Sequence, residues 1–396
     1  MGKKEIREQA LKELTKNILP YWQNLRDEKN GGFYGETDFH GTLIPTAVKG
    51  SILNARVLWT FSAAARVLGE RVYLDYAKAA FDFLRKYFYD VSYGGLFWSV
   101  EYDGTPLDTK KQFYNLAFGI YGLAEYYRVT EDEKAKALAV SLFDTLEKYA
   151  YEPVYGGYTE ALARDYSPLA DMSLSAKDLN CPKSMNTNLH VMEAYTNLAR
   201  IYEPAKEPLK NLLIVTLKKI VDEKKRFKLF FENDFTSLTK NISYGHDIEG
   251  SWLLYEAAEV LGDPEVLSLA RETALTMAEE VYENGRDSIH GGLFNERDKD
   301  GDIHPQIKAW WPQAEAVVGF YNAYSLTKDE KYLAAAADIL EYIDKVFVDH
   351  ENGEWFNETT LDNIPLEDMP KAGFWKCPYH NGRMCLELIE RIGGEL

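Results

Sequence analysis

A histidine and a glutamate stand three positions apart at the start of a predicted helix, within the stretch from Ser243 to Leu254. After Gly245 the apolar residues recur at helical spacing, so the side chains of His246 and Glu249 are expected on one helix face. A histidine at a helix N-terminus tends to remain neutral and can accept a proton. The stretch therefore predicts a general base, His246, whose ring Glu249 orients. A histidine that only bonds a nearby backbone group is an equally open alternative.

Other side chains that could act on a polar ligand lie near the starts of other predicted helices. If these helices all begin at one rim of the molecule, the side chains converge there. Besides His246 and Glu249, the set comprises Arg56, Tyr114, His190, Trp310, Trp311, Glu315, Trp375, His380 and, one turn after His380, Arg383. Singly, each has an ordinary explanation, since most such tryptophans belong to the core and an acid in a first turn serves the helix dipole. Their joint placement favours a binding or catalytic site.

The elements that carry these side chains follow from an internal repeat. A Gly-Gly motif followed by hydrophobic residues recurs with a period near 62 residues. This period suits a pair of helices joined by a short hairpin. Four clear copies begin at Gly31, Gly94, Gly156 and Gly291, and two weaker copies begin at Leu229 and Gly353. The chain is therefore expected to contain six related units.

Between the hairpins, apolar residues recur at helical spacing in twelve stretches. The helices are expected at residues 5–19, 47–68, 73–89, 111–128, 133–149, 183–202, 207–223, 248–261, 264–282, 312–326, 330–346 and 378–391. The helix after each hairpin is the more apolar, as in an inner ring, and the next helix is the more charged, as in an outer ring. We predict an all-α fold, an (α/α)6 barrel of twelve helices with short β-hairpins between helix pairs, in a single domain over residues 1–396. An open array of helix pairs is the alternative.

Composition and charge limit the partners and the compartment. The net charge of -18 argues against nucleic acid and anionic membranes, whereas 27 tyrosines and 8 tryptophans suit the binding of flat polar ligands such as sugars. The sequence contains neither a signal peptide nor an apolar run long enough to span a membrane. Three cysteines are too few, and odd in number, for a disulfide framework. We expect a soluble cytoplasmic protein and a monomer.

Motifs for metal and nucleotide sites are weak in this sequence. Cys377 and His380 have a C-x-x-H spacing, but no second closely spaced ligand pair accompanies them. The glycine-rich loops of nucleotide-binding proteins and the nucleophile motif of serine hydrolases are missing from the sequence. We therefore expect no metal ion and no cofactor.

Three segments resemble signature sequences of the N-acylglucosamine 2-epimerase superfamily, and most of all those of its disaccharide epimerases. They are Ser243-Tyr-Gly-His-Asp-Ile-Glu-Gly-Ser-Trp-Leu-Leu254, Lys308-Ala-Trp-Trp-Pro-Gln-Ala-Glu-Ala-Val-Val-Gly-Phe320 and Phe374-Trp-Lys-Cys-Pro-Tyr-His-Asn-Gly-Arg-Met384. The resemblance also includes Asn186-Thr-Asn-Leu-His190 and Asn54-Ala-Arg56, so it spans nearly the whole chain. Gly250 departs from the family's usual alanine, which leaves the expected chemistry unchanged.

The resemblance implies an isomerase that inverts C2 of the reducing-end glucose of β-1,4-linked disaccharides such as cellobiose and lactose. The ring opens, one histidine removes the C2 proton, and a second histidine reprotonates the resulting cis-enediol on the opposite face. The implied base pair is His246 and His380. His190 assists ring opening, Arg56 holds the enediol oxygens and Glu249 orients His246. The implied sugar contacts are Tyr114, Asn188, Trp310, Trp311, Glu315 and Trp375.

Other activities of the same fold remain open. A mannose 2-epimerase or an aldose–ketose isomerase of the superfamily retains much of this histidine set. A glycoside hydrolase needs two carboxylates that face each other across the scissile bond, and only Glu249 and Glu315 are placed for that role. A non-catalytic sugar-binding protein needs the aromatic residues but not three histidines.

Overall fold

Each period of the repeat folds into two helices, which run in opposite directions across the molecule. The computed structural model describes residues 1–394. Its helices are α1 (Lys3–Glu13), α2 (Leu19–Asn24), α3 (Ser51–Leu68), α4 (Tyr73–Phe83), α5 (Phe113–Thr130), α6 (Glu133–Tyr149), α7 (Met185–Ala199), α8 (Lys206–Val215), α9 (Tyr244–Leu261), α10 (Pro264–Asn284), α11 (Trp310–Thr327), α12 (Glu330–Val346) and α13 (His380–Gly393). A π-helical turn at Leu14–Ile18 makes α1 and α2 one continuous rod, so the described residues form twelve rods.

Six of these helices form a closed inner ring. Each of α3, α5, α7, α9 and α11 packs on the next one, and α13 packs on both α11 and α3. The outer helices α4, α6, α8, α10 and α12 each pack on the inner helix that precedes them, and α1 packs on α13. The predicted (α/α)6 barrel is therefore confirmed, and the alternative of an open array is wrong.

The burial pattern explains which helices lie inside. In α3 every residue from Ser51 to Ala65 is buried, as expected for a helix that is surrounded by neighbours. In the outer helix α12, by contrast, Asp338, Glu341 and Lys345 lie on one exposed strip. Because the apolar stripe of an outer helix faces only the inner ring, its opposite face can carry charges.

Short antiparallel strands hold consecutive repeats together at one rim. The strands are β1 (Lys49–Gly50), β2 (Ser99–Val100), β3 (Pro106–Asp108), β4 (Lys111–Gln112), β5 (Ala161–Leu162), β6 (Lys183–Ser184), β7 (Phe230–Phe231), β8 (Ile242–Ser243), β9 (Glu296–Arg297), β10 (Ile307–Ala309) and β11 (Glu358–Thr360). They pair in the orders β1-β2-β3, β4-β5, β6-β7, β8-β9 and β10-β11. Strands β1, β4, β6, β8 and β10 each lead directly into an inner helix, so those helices begin at the same rim.

The Gly-Gly motifs form the turns of the predicted hairpins. At the second copy, Gly94 and Gly95 have φ angles of 77° and 71°, which favour glycine, and Tyr89 pairs with Leu96 across the turn. The sequence placed the fourth copy at Leu229, but the structure places it earlier in the chain. Its hairpin pairs Val221 with Phe227 and is one residue shorter. Because Lys225 takes the left-handed conformation there instead of a glycine pair, the motif is unrecognisable in the sequence.

Buried lysines brace five of the hairpins, four of them from strands and the fifth, Lys371, from the loop before α13. Lys49 Nζ lies 2.7 Å from Asp27 Oδ2 and also donates to the carbonyl oxygen of Gly31 at 2.8 Å. The equivalent pairs are Lys111–Asp90, Lys183–Glu152, Lys308–Asp287 and Lys371–Asp349. A buried ammonium group is tolerated only when it is paired and hydrogen-bonded. These pairs therefore fix the rim from which the inner helices start.

The inner helices end at the opposite rim, around a cavity of about 500 Å³ to which all six contribute side chains. Its charged groups largely neutralise one another. Arg66 Nε lies 2.6 Å from Glu125 Oε1, and Arg391 Nε lies 2.7 Å from Glu387 Oε2. Among residues 1–394, no helix combines the length and the apolar character that crossing a membrane requires.

Candidate active site

Three histidines lie at the rim where the inner helices begin. His190 is the sixth residue of α7, His246 the third of α9 and His380 the first of α13. The indole of Trp311 joins two of them, since its ring centre is 4.8 Å from that of His246 and 5.4 Å from that of His380. The structure thus brings His246 and His380 together at this rim, in contact with the same indole. The other four histidines, at 40, 290, 304 and 350, are exposed, as predicted.

His246 is oriented by a serine and not by the expected glutamate. The Nδ1 atom of His246 lies 2.8 Å from Ser243 Oγ, on the residue that caps α9. Glu249 instead accepts a hydrogen bond from Arg383 Nη2 at 2.6 Å. The prediction that Glu249 orients His246 is therefore wrong. Although the two side chains are three residues apart, the carboxylate is drawn toward a buried guanidinium at the centre of the barrel.

His380 has a carboxylate partner from a different helix. Its Nδ1 lies 2.6 Å from Glu315 Oε1, and Trp252 Nε1 donates to Glu315 Oε2 at 3.0 Å. Glu315 is 1% exposed, so it supports His380 from beneath and is not the direct sugar contact that the sequence suggested. With Nδ1 donating to a carboxylate, the Nε2 atom of His380 is left free to accept a proton.

His190 has the one histidine–glutamate pair at the predicted three-residue spacing. Its Nδ1 lies 2.7 Å from Glu193 Oε2. Glu193 Oε1 accepts hydrogen bonds from the hydroxyl of Tyr379 and from Arg383 Nη1. The ring of His190 also contacts that of Tyr114, with ring centres 5.0 Å apart. His190 is therefore held in place from two sides.

Arg383 is the common partner of the carboxylates in this cluster. It is fully buried one turn along α13 from His380 and binds Glu193, Glu249 and Glu315. Glu249, Glu315 and His380 place ligand-type atoms within 4.8 Å of one another, a spacing that could hold a metal ion. Because Arg383 Nη2 lies 2.6 Å from both carboxylates, we assign the group as an ion-pair cluster.

Burial keeps all three imidazoles neutral. Desolvation lowers the pKa of His246 to about 3, with a further contribution from the nearby His190. Burial also holds the pKa of His380 well below its usual range, and the positive charges of Arg56 and Arg383 add to this effect. The pKa of His190 is lowered by burial, against the opposing influence of Glu193. At neutral pH each ring can therefore accept a proton.

Arg56 supplies positive charge close to His380. It is 3% exposed, and its Nη2 donates to the hydroxyl of Tyr114 at 2.8 Å. Its Nη1 lies 3.4 Å from the carbonyl oxygen of Trp375, a long contact. The guanidinium also stacks over Phe118, 4.1 Å from the ring centre. A planar cation fixed in this way can bind developing negative charge on a substrate oxygen.

The three predicted tryptophans differ in accessibility. Trp375 is 39% exposed and Trp311 is half-buried, so both can offer a ring face to a ligand. Trp310 is only 3% exposed and contacts His380 with ring centres 5.4 Å apart, which makes it a support for the histidine. Tyr114, 3% exposed, is mainly a partner of Arg56.

Asn188 is a structural residue and not a sugar contact, contrary to the prediction. Its Oδ1 accepts from the backbone N–H of Tyr158 at 2.8 Å, and its Nδ2 donates to the carbonyl oxygens of Tyr158 and Ser184. Gln313 of α11 binds the backbone of Leu293, in the fifth hairpin, in the same manner. Because these bonds use the hydrogen-bonding capacity of the amide, Asn188 fixes a hairpin to α7.

The site also contains residues that the sequence alone did not identify. They are Ser243, Glu193 and Tyr379. Two of these could have been recognised from their spacing in the sequence, because Ser243 is three residues before His246 and Glu193 is three residues after His190. Arg383 was expected at this rim because it stands three residues after His380, but its carboxylate partners were not predicted, since they come from three other helices.

Known proteins resemble this chain over nearly its whole length. A family model described as N-acylglucosamine 2-epimerase matches residues 32–381. A cellobiose 2-epimerase of Bacteroides fragilis is 45% identical over 393 residues, which cover 97% of this chain and 98% of that protein. A cellobiose 2-epimerase of Ruminococcus albus is 41% identical, with coverages of 96% and 97%. The structure of cellobiose 2-epimerase from Bacillus thermoamylovorans matches with a TM-score of 0.93 at 39% identity and covers 98% of this chain and 100% of that one.

The closed helical ring and the cluster of neutral histidines at one rim define the class of the protein, an (α/α)6-barrel isomerase that acts on carbohydrate. The chain belongs to the N-acylglucosamine 2-epimerase family, and it is a carbohydrate epimerase. The resemblance inferred from its sequence segments is thereby confirmed.

Proposed function

We propose that this enzyme inverts C2 of the reducing-end glucose of β-1,4-linked disaccharides. Cellobiose would become glucosyl-mannose, and lactose would become epilactose. The observation that carries the proposal is the pair of neutral imidazoles, His246 and His380, which contact the same indole at the rim where the inner helices begin. The 45% identity to a protein named cellobiose 2-epimerase supports this choice of substrate.

The reaction begins with opening of the reducing-end ring. His190 has its Nδ1 bound to Glu193, which leaves Nε2 for the O1 hydroxyl of the sugar. When Nε2 accepts this proton, the C1–O5 bond breaks, its electron pair goes to O5, and O5 takes a proton from solvent to become a hydroxyl. C1 becomes an aldehyde, and His190 returns its proton to solvent. The aldehyde makes the neighbouring C2 proton acidic, so a neutral imidazole is a sufficient base for the next step.

Proton transfer at C2 then uses the other two histidines. One of them removes the C2 proton, and the electron pair of the C–H bond forms the C1–C2 double bond of an enediolate. Arg56 binds the negative charge on the enediolate oxygens. After rotation about C2–C3, the second histidine, which has taken up a proton from solvent, donates it to the opposite face of C2, and the first histidine releases the abstracted proton to solvent. Since the carbon loses and regains one proton, the reaction needs no external oxidant or reductant.

The aromatic side chains at the mouth hold the disaccharide. Trp311 contacts both bases, and the exposed Trp375 has its carbonyl oxygen next to Arg56, so each ring can stack on a sugar ring. Stacking at this place would fix C2 of the reducing-end sugar between His246 and His380.

A substrate panel tests the proposal. The purified enzyme is incubated separately with cellobiose, lactose, mannose and glucose, and the products are separated by chromatography. Glucosyl-mannose from cellobiose supports the proposal. A ketose as the main product would indicate an aldose–ketose isomerase, and conversion of free mannose alone would indicate a monosaccharide enzyme. Free glucose from cellobiose would indicate hydrolysis.

We further infer a single catalytic domain over residues 1–396 that works as a cytoplasmic monomer. The closed inner ring supports one domain, since every inner helix contacts two others. The three cysteines are free and buried, which is compatible with a reducing compartment. Sedimentation equilibrium of the purified protein would test the monomer.

A further inference from the structure

Three carboxylates share a single guanidinium at the centre of the barrel. Glu193, Glu249 and Glu315 are each 3% exposed or less, and each accepts a hydrogen bond from Arg383. Neighbouring carboxylates in a dry environment cannot all be ionised when one cation serves them. One of the three must therefore carry a proton.

The hydrogen bonds indicate which carboxylate this is. Glu193 accepts from three donors, namely His190, Tyr379 and Arg383. Glu315 also accepts from three, namely Trp252, His380 and Arg383. Within residues 1–394, the structure gives Glu249 one donor, Arg383 Nη2. Because donors to a carboxylate stabilise its ionised form, Glu249 is the least favoured to be ionised.

The electrostatic surroundings agree with this order. Burial, and then the negative charge of Glu315, hold the pKa of Glu249 well above its usual range. Burial alone would raise the pKa of Glu193, but Arg383 and His190 lower it below its usual value. The titratable and charged groups around Glu249 are Tyr114 on α5, Glu193 on α7, Glu315 on α11, His380 and Arg383 on α13, and Tyr379 just before α13.

We propose that Glu249 is held as a neutral carboxylic acid, so that Glu315 is the single ionised carboxylate that acts on His380. The Nδ1 atom of His380 is 2.6 Å from Glu315 and 3.9 Å from Glu249. Two ionised carboxylates at these distances would favour the imidazolium form of His380, which cannot accept a proton. Glu249 is thus a positioning residue that keeps His380 a base, a consequence that rests on the proposed two-histidine function.

Infrared spectroscopy tests the protonation state without using activity. Substitution Glu249→Gln replaces the neutral acid by an amide of the same shape. At neutral pH, the spectrum of the wild type minus that of Glu249→Gln is expected to show the carbonyl band of a protonated carboxylic acid, which moves in deuterium oxide. A difference spectrum with a carboxylate band instead would overturn the proposal. Failure of Glu249→Gln to fold would also count against it, because an amide should replace a neutral acid.

A second measurement counts the proton directly. Glu249 would be protonated in the folded enzyme and ionised in the unfolded chain at neutral pH, so unfolding should release about one more proton from the wild type than from Glu249→Gln. The unfolding equilibrium constant of the wild type should accordingly rise about tenfold more per pH unit than that of the variant. Equal pH dependence of the two proteins would contradict the proposal.

The consequence for His380 is tested by comparing two matched substitutions. Glu315→Gln removes the ionised partner of His380, and a loss of about 100-fold or more in kcat is expected. Glu249→Gln should lose less than about tenfold. The reverse order would overturn the assignment of the proton to Glu249. If wild-type enzyme converts no disaccharide but the acid band is present, the proposed function fails while the protonation state stands.

Discussion

Ser243→Ala tests whether the orientation of the His246 ring affects the rate when the imidazole itself is unchanged. The change removes the hydroxyl that lies 2.8 Å from His246 Nδ1 and leaves the imidazole itself in place. A hydrogen bond between neutral groups contributes about 0.5–1.5 kcal/mol, and about 1.4 kcal/mol corresponds to a factor of ten. We therefore expect kcat to fall about three- to tenfold. KM should change little, because Ser243 is 1% exposed and cannot contact the sugar directly.

The chain offers a matched control in the preceding repeat. Ser184 caps α7 from the same kind of strand–helix junction, but its Oγ accepts from the backbone N–H of Thr187 at 3.0 Å and does not contact a histidine. Ser184→Ala should therefore lower the free energy of unfolding by about 1 kcal/mol while kcat stays within about twofold. Both variants are measured by steady-state kinetics on cellobiose and by denaturant unfolding. Equal kcat for Ser243→Ala and the wild type would refute the role of Ser243, and so would an equal loss of kcat in both variants.

Three further outcomes follow from the site. Asn188→Ala leaves one backbone N–H and two carbonyl groups without their side-chain partner, so the free energy of unfolding should fall by about 2–4 kcal/mol, measured with denaturant. The kcat of the folded fraction should change by less than about twofold, and a large fall in kcat without loss of stability would restore a substrate role for Asn188. Trp375→Ala should raise KM for cellobiose about two- to tenfold with a smaller change in kcat, since stacking contributes about 0.5–1.5 kcal/mol; an unchanged KM would place the sugar elsewhere. Burial lowers the pKa values of His190, His246 and His380 in the folded enzyme below the usual histidine value of about 6.5. The unfolded chain therefore binds more protons as the pH falls below about 6.5, and stability is lost in that direction. Each histidine contributes up to about 1.4 kcal/mol per pH unit, and His246→Asn should reduce the slope by one histidine; an unchanged slope would show that His246 is charged in the folded enzyme.

The architecture could be predicted because its signals are local. Apolar periodicity marks each helix within the span of a few turns, and the Gly-Gly turns repeat wherever two residues must adopt a left-handed backbone, as at Gly94 and Gly95. The prediction was wrong at the fourth hairpin, where Lys225 takes that conformation in a shorter turn. Closure of the ring depends on the contact of α13 with α3, which no local pattern specifies.

The members of the site were predictable, but most of their partners were not. The three histidines, Arg56 and the exposed Trp375 lie at the predicted rim because each stands near the start of an inner helix. Partner choice is different, since helical spacing allows His246 to meet either Ser243 or Glu249. Arg383, on another helix, binds Glu249, and His246 is left to bond Ser243. Spacing along one helix cannot reveal a partner on another helix.

The proposed mechanism requires two bases that act on opposite faces of one carbon, and hydrogen–deuterium exchange at C2 tests this most directly. His246→Asn and His380→Asn are each incubated in deuterium oxide with cellobiose and, separately, with glucosyl-mannose, and loss of the C2 proton is followed by nuclear magnetic resonance. Neither variant should interconvert the two sugars. Each should exchange the C2 proton of one epimer only, and the two variants should act on different epimers. Inversion at a rate near that of the wild type in either variant, or exchange of the same epimer by both, would contradict the two-histidine assignment.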